Sequence, residues 1–494
     1  PCAAPKVKRD ERDRRDRHGR RAARVVALVV AGAAGLAVSI GLPPGLGRQA
    51  RADGALPGSL GILLPIDKPQ EIVLGTTFGL IISDDGGATW VWTCEQVATS
   101  MANVYAVGPP PATAGTLGDR FYALSPLPEV GLSFSDDGTC MWQLSTGALT
   151  GATVSDFFVD PTNPNRVLAA ASATDDAGDV EPASLYQSLD GGTTFDSTPL
   201  FVAPANAPIV GIEIARSDPN VIYLAYYFTL TVGRDPVLVR SSDGGKNWTT
   251  LDVQAALGPN MVRIFAVDPG DPDLVYLRVI ASGSESVAVT RDGGMTFAQP
   301  LTIPNGAATA FVRLASGTLL VGARLNFTGD GGGASGAGYR STDGGKSFVP
   351  WILSPQPHIV GLAERVSGQQ ATLYLSGENY VDGWALATST DEGATLTPMM
   401  SYDQVRGIKA CAQQTCANSC NYVENQAVWS SDVCTGALLD AGTVTPPPPA
   451  GSGCHCGVAG GDGPGDFPLL AFALACALGF CVKLMRRGSR RRAD

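Results

Sequence analysis

An eight-residue phrase recurs seven times along this chain, and a fixed repeat constrains a fold more tightly than composition does. It reads Ser83-Asp84-Asp85-Gly86-Gly87-Ala88-Thr89-Trp90, then Ser135-Asp136-Asp137-Gly138-Thr139-Cys140-Met141-Trp142. Further copies start at Ser188, Ser241, Thr290, Ser341 and Ser389 and centre on Asp190, Asp243, Asp292, Asp343 and Asp391. From Asp85 through Asp137 to Asp391, successive central aspartates lie 52, 53, 53, 49, 51 and 48 residues apart.

Each residue type in the phrase has a mechanical use. Asp carboxylates and Ser or Thr hydroxyls accept backbone N–H bonds inside tight turns. A Gly pair takes positive φ without a steric penalty. The aromatic residue opens the next strand. Apolar, strand-like runs precede the phrases, as in Phe78–Ile82, Pro236–Arg240 and Ser286–Val289. The phrase therefore reads as a hairpin turn, met once per unit. Upstream, Val159–Leu168, Arg216–Leu224 and Val267–Leu277 each read as a Pro/Asp turn entering a strand. About four strands per unit make one blade of a β-propeller. The expected fold is all-β, a seven-bladed β-propeller, with an eight-bladed ring as the alternative.

The phrase resembles the Asp-box, or BNR, repeat of sialidase-like propellers, which sortilin ectodomains, xyloglucan hydrolases and photosystem-II assembly factors share. The resemblance implies the propeller fold. It also implies that the seven central aspartates are structural, because in those families the box is a turn.

The two ends read differently from the middle. Residues 1–24 are rich in basic residues, Val25–Leu42 is apolar, and Ala50-Arg51-Ala52 offers a small-residue cleavage site. That order predicts a leader and signal peptide over 1–52, cut after Ala52, with an uncleaved membrane anchor as the alternative. The propeller is expected over 53–440. Residues 441–466 form a Pro/Gly-rich linker that includes Pro446–Pro449, Cys454 and Cys456. The apolar run over 467–485 is expected to be a transmembrane helix, and the arginine-rich tail 486–494 to stay cytoplasmic. This three-part tail resembles the myxobacterial C-terminal sorting signal. That likeness implies processing near Gly453-Cys454 by a sorting protease and attachment at the cell envelope or outer surface. A plain membrane anchor is the alternative reading.

Between residues 53 and 482 there are 17 Lys and Arg against 41 Asp and Glu, a net −24. Such a surface repels nucleic acid and anionic lipid heads. The plain reading of the acid is solubility, with no cofactor. The sharper one is a cation, calcium, at Asp175-Asp176-Ala177-Gly178-Asp179 or Gly329-Asp330-Gly331-Gly332-Gly333, although neither matches a known calcium loop. No metal ligands are assigned.

Of the 11 cysteines, six fall in the exported region: Cys94, Cys140, Cys411, Cys416, Cys420 and Cys434. An even number outside the cell suggests disulfides. The expected pairing is Cys94–Cys140 across adjacent blades, with the other four paired among themselves in any of three ways. Zinc is the rival for the 411–434 cluster, which has no nearby His. That cluster follows the seventh phrase. Val405–Ala410 looks like the first strand of another unit and Gln426–Asp432 like a worn phrase approach, so the segment is expected to close the ring by completing the first blade.

Candidate catalytic residues are scarce. The sialidase pattern needs an Arg cluster, a Tyr–Glu pair and a Phe/Tyr-Arg-Ile-Pro stretch near the start. The nearest string here, Val262-Arg263-Ile264-Phe265, sits mid-chain with other flanks. Tyr223, Tyr226, Tyr227, Tyr276, Tyr374 and Glu378 admit no defensible pairing. His358 is the one propeller histidine, expected in a loop or strand end. No catalytic residue is assigned. The sequence therefore points to an exported, surface-anchored propeller that binds or scaffolds protein or glycan, with a glycoside hydrolase, sialidase-like or another exo-glycosidase, as the alternative.

Overall fold

The computed structural model describes residues 57–436, apart from 99–101, 103, 110–118, 126, 128–130, 175–178, 327–334 and 426–427. Seven blades of four antiparallel strands follow one another along the chain, and the sheet of the first carries one strand more. Blade 1 is built from Ser59–Leu63, Ile72–Thr76, Gly79–Ser83 and Trp90–Cys94. Blade 2 uses Val104–Val107, Phe121–Leu124, Leu132–Ser135 and Gln143–Leu144. Blade 3 uses Thr153–Val159, Val167–Ser172, Ser184–Ser188 and Phe201–Val202. Blade 4 has Ile209–Ile214, Ile222–Thr229, Arg234–Ser241 and Thr249–Asp252, and blade 5 has Met261–Val267, Val275–Ala281, Ser284–Thr290 and Ala298–Pro304. Blade 6 has Gly306–Arg313, Leu319–Leu325, Ser335–Ser341 and Val349–Pro350; blade 7 has Gly361–Ser367, Gln370–Ser376, Leu386–Ser389 and Thr397–Met400.

The second strand of each blade is mostly buried, and in blade 1 every residue of Ile72–Thr76 and Gly79–Ser83 is buried. They read as near-continuous apolar runs because both faces pack against neighbouring blades. The first strands of blades 1 and 2, of 3, 4 and 5, of 6 and 7, and of 7 and 1 adjoin, so the sheets surround an axis. The domain is thus an all-β, seven-bladed propeller.

Every phrase is the turn between the third and fourth strands of its blade, and all seven share one bonding scheme. The Ser or Thr hydroxyl donates to the central Asp at 2.6–2.9 Å. The backbone N–H four residues after the Asp donates to the same carboxylate at 2.8–3.0 Å. The N–H of the second residue after the Asp donates to the Ser or Thr oxygen, as Gly87 does to Ser83 at 2.8 Å. Positive φ is kept even where the Gly pair is lost, at Thr139 (75°) and Glu392 (54°).

A second device was not visible in the repeat. On the phrase side, each junction between blades is bridged by at least one cation, and that of blades 5 and 6 also by Arg313 on Asp268 at 2.5 Å. Arg120 donates to Gly191 O at 2.7 Å and Arg166 to Pro219 O at 2.7 Å. Arg240 meets Asp273 at 2.7 Å, Arg291 donates to Gly344 O at 2.8 Å, and Arg340 meets Glu392 at 2.6 Å. Arg365 of blade 7 closes the ring on blade 1, donating to Pro69 O at 2.8 Å and Glu71 O at 2.7 Å. The junction of blades 1 and 2 takes Lys409 instead, whose Nζ donates to Gly138 O at 2.5 Å.

Lys409 belongs to a strap that follows blade 7. The strap does bind blade 1, but it does not complete it or start an eighth blade. Blade 1 already has four strands, and Val405–Ile408 adds a fifth, parallel to Trp90–Cys94. A helix, Gln413–Asn425, and a short one, Ser431–Thr435, follow, so the expected worn phrase at Gln426–Asp432 runs into helix rather than strand. Val428, Trp429 and Val433 bury themselves in the core of blade 1, and Trp429 meets Trp92 edge-on at 5.1 Å.

All six cysteines among the described residues are bonded, but the expected Cys94–Cys140 pair does not form. The bonds are Cys94–Cys416, Cys140–Cys411 and Cys420–Cys434. The strap runs along the outer edge of blade 1 toward blade 2 and meets each of the two isolated cysteines with one of its own. Among the described residues no helix is long and apolar enough to cross a membrane. The 1–52 leader with Ala52, and the tail with Cys454, Cys456 and 467–485, lie outside the described residues.

Candidate functional site

Because the strands of a blade alternate in direction, the phrase turns all lie on one face. The turns between second and third strands, and the links between blades, lie on the other. The phrase face is taken up by its own turns and by the bridging cations. Hydrogen bonds hold the carboxylates of Asp243, Asp292 and Asp391 down to about 2, those from Asn247, Thr296 and Ser389 side chains leading in turn. A group satisfied in this way is a poor base or nucleophile.

Along the axis the first strands carry three charged side chains on three successive blades: Asp156, Glu213 and Arg263. Asp156 follows a break in register after Val154, where one residue bulges and re-aims the strand. Its Oδ2 accepts the Ile212 N–H of blade 4 at 3.0 Å and its Oδ1 accepts the Phe157 N–H at 3.0 Å. Burial pushes it up to about 6, while those bonds and the Arg263 charge pull back. Glu213, next to Ile212, is held well above the usual carboxylate range by burial and by the Asp156 charge. Arg263 is exposed and both carboxyl groups are half-buried. Two neighbouring acids both raised by burial on the axis are candidates for acid–base work.

Sequence reasoning passed over Asp156 and Glu213 because neither lies in a motif. The available signal was a lone acid inside an apolar strand, Val154-Ser155-Asp156-Phe157-Phe158 and Ile212-Glu213-Ile214. Arg263 comes from the very string set aside for its flanks. His358 lies, as expected, in a loop, the link from blade 6 to blade 7. Its Nδ1 is 3.1 Å from Asp382 Oδ1, and Asp382 also accepts the N–H groups of His358 and Glu378. Arg324 pairs with Glu378 beside them. Tyr223 is buried and bonds Pro272 O at 2.9 Å, and Tyr276 is buried in the blade 5–6 core, so neither is offered to a substrate. Residues 175–178 and 329–333 fall outside the described residues. Among the described residues no group of three or more His, Cys, Asp or Glu is arranged to hold a metal ion.

No family model matches the chain. It is similar to the human VPS10 domain-containing receptor SorCS2, 27% identical over 156 residues, which are 32% of this chain and 12% of that receptor. Among solved structures it is similar to the GH74 xyloglucanase from Xanthomonas campestris, at 14% identity and a TM-score of 0.34, covering 68% of this chain and 77% of that one. It is also similar to the Penicillium chrysogenum alpha-L-arabinanase complexed with arabinobiose, at 15% identity and a TM-score of 0.32, covering 50% and 80%.

Proposed function

We propose that the chain is an exported propeller of the Asp-box type, held at the cell surface, that acts as a non-catalytic binding or scaffolding module for protein or glycan. The observation that carries this reading is the division of the two faces. Seven phrase carboxylates and the bridging cations are bonded inside the ring on one face, which makes it rigid, and the turns and links of the other face are left to meet a partner. Three disulfides fit an oxidising compartment. The apolar run over 467–485 supplies a membrane anchor, with processing at Ala52 and near Cys454 and Cys456 by a sorting protease. No cofactor is needed for this role, and calcium stays a proposal for residues 175–179 and 329–333. Nucleic acid is not a partner for so acidic a surface.

The glycoside hydrolase reading is favoured by one observation, the Asp156 and Glu213 pair on the axis with both carboxyl groups raised by burial. A panel of fluorogenic glycosides, sialosides included, separates the two. The binding reading expects capture of a partner from a glycan array or pull-down, weakened by salt, and no turnover. Turnover that Asp156→Asn or Glu213→Gln abolishes would overturn it.

A further inference from the structure

Blade 2 holds less strand than any other blade of the ring: its four strands run four, four, four and two residues. Its join to blade 1 is also built differently. At the other six junctions the bridging arginine belongs to a blade, whereas here the cation is Lys409 of the strap. A second polar tie across this join sets two carboxylates together, since Asp67 and Asp119 each accept the other's N–H, at 3.1 and 3.0 Å. The segment that carries Lys409 is fastened to blade 2 by Cys140–Cys411. That bond lies two residues beyond Lys409 on the strap and two beyond its acceptor Gly138 on the phrase.

The three disulfides differ in access. Cys94 and Cys416 are 1% and 0% exposed, and Cys420 is wholly buried. Cys411 is exposed and Cys140 is half-buried. Exchange begins when an outside thiolate reaches one of the two sulfurs, so access decides which bond is attacked. The bond that such a thiolate can reach is the one that ties the least strand-rich blade to the strap.

We infer that Cys140–Cys411 is a redox latch, opened by a dithiol reductant to loosen blade 2 while Cys94–Cys416 keeps the strap on blade 1. One thiolate of the reductant attacks Cys411 Sγ, and Cys140 leaves as a thiolate that takes a proton from water. The second thiol of the reductant then displaces Cys411. The reductant departs as a disulfide, and its two electrons are left on Cys140 and Cys411 as two thiols. Once unlatched, blade 2 retains Lys409 and the Asp67–Asp119 tie. Such a join opens more often, and Phe121, Tyr105 and Trp142, packed in the apolar cluster between blades 1 and 2, gain access to solvent.

The oxidised full chain is treated with graded dithiothreitol, alkylated and peptide-mapped, with hydrogen exchange followed in parallel. Cys140 and Cys411 are expected to be alkylated about tenfold or more faster than the other four cysteines. Exchange in Phe121–Leu124 and Leu132–Ser135 should rise about tenfold or more while that of Ile222–Thr229 in blade 4 stays unchanged, and reoxidation should reverse it. Cys140→Ser with Cys411→Ser should show the same exchange pattern without reductant. Reduction of Cys94–Cys416 or Cys420–Cys434 first, or of all three bonds at one rate, overturns the inference. So does an opened Cys140–Cys411 that leaves blade 2 exchange unchanged or raises every blade alike. A double variant that does not fold also overturns it, because the strap must then hold through Cys94–Cys416.

Discussion

The strap is joined to blades 1 and 2 by two nested disulfides, and their nesting fixes what each is worth. Cys94–Cys416 spans 322 residues and Cys140–Cys411 spans 271. In the chain-entropy model the stabilisation follows the loop that each bond closes in the unfolded chain. With one bond in place, the second closes only the 46 residues from Cys94 to Cys140 plus the five from Cys411 to Cys416, a loop of about 51. Such a loop is worth about 4 kcal/mol, and the first bond alone about 5–6 kcal/mol. Removing either pair by Cys→Ala is therefore expected to cost about 4 kcal/mol, and removing both about 10 kcal/mol. That total is comparable to the whole stability of an ordinary domain. The assay is equilibrium denaturation of the oxidised propeller domain followed by tryptophan fluorescence, since Trp92 and Trp429 meet where the strap docks. The single-pair variants should unfold cooperatively at lower denaturant, and the double variant should be unfolded or open at the strap under native conditions. Single removals costing nothing, or a double removal costing no more than one single, would refute the loop argument and with it the strap as a fastener.

Three further outcomes follow from the same geometry. Arg120→Met should lower stability by about 3 kcal/mol, because Asp136 and the Gly191 carbonyl both lose a half-buried charged partner, and Arg120→Lys should restore only part of it, as read from denaturation midpoints. Asp156→Asn should stabilise the fold by up to about 3 kcal/mol at pH 8 and leave it unchanged at pH 4. The raised acid is protonated without penalty below its unfolded value near 4, and it opposes folding as pH rises through about 6. The phrase aspartates have the opposite sign: their contribution is complete above about pH 4 and is lost as pH falls toward 2, so acid titration of Asp292→Asn should show a shallower loss in that window than the natural chain.

The period of the phrase made the blades legible because each turn is local: Ser83, Asp85 and Thr89 bond to one another within seven residues. What was not legible depends on contacts between distant residues. Cys94 finds Cys416 rather than Cys140 because the strap adds a strand to a finished blade, and nothing in the local pattern tells a fifth strand from the first of another blade. The bridging cations escaped for the same reason. Arg120, Arg166 and Arg365 hold no fixed place relative to the phrase, and their partners lie 71, 53 and 296 residues away. Asp156 and Glu213 are single acids in apolar strands, and only the ring brings their strands side by side on the axis.

Peptide mapping of the unreduced protein tests the account most directly. A seven-bladed ring fastened by its own C-terminal strap requires the crosslinks Cys94–Cys416, Cys140–Cys411 and Cys420–Cys434, with no free thiol among the six. A Cys94–Cys140 crosslink, or a labelled thiol at any of these positions in the native protein, would contradict it.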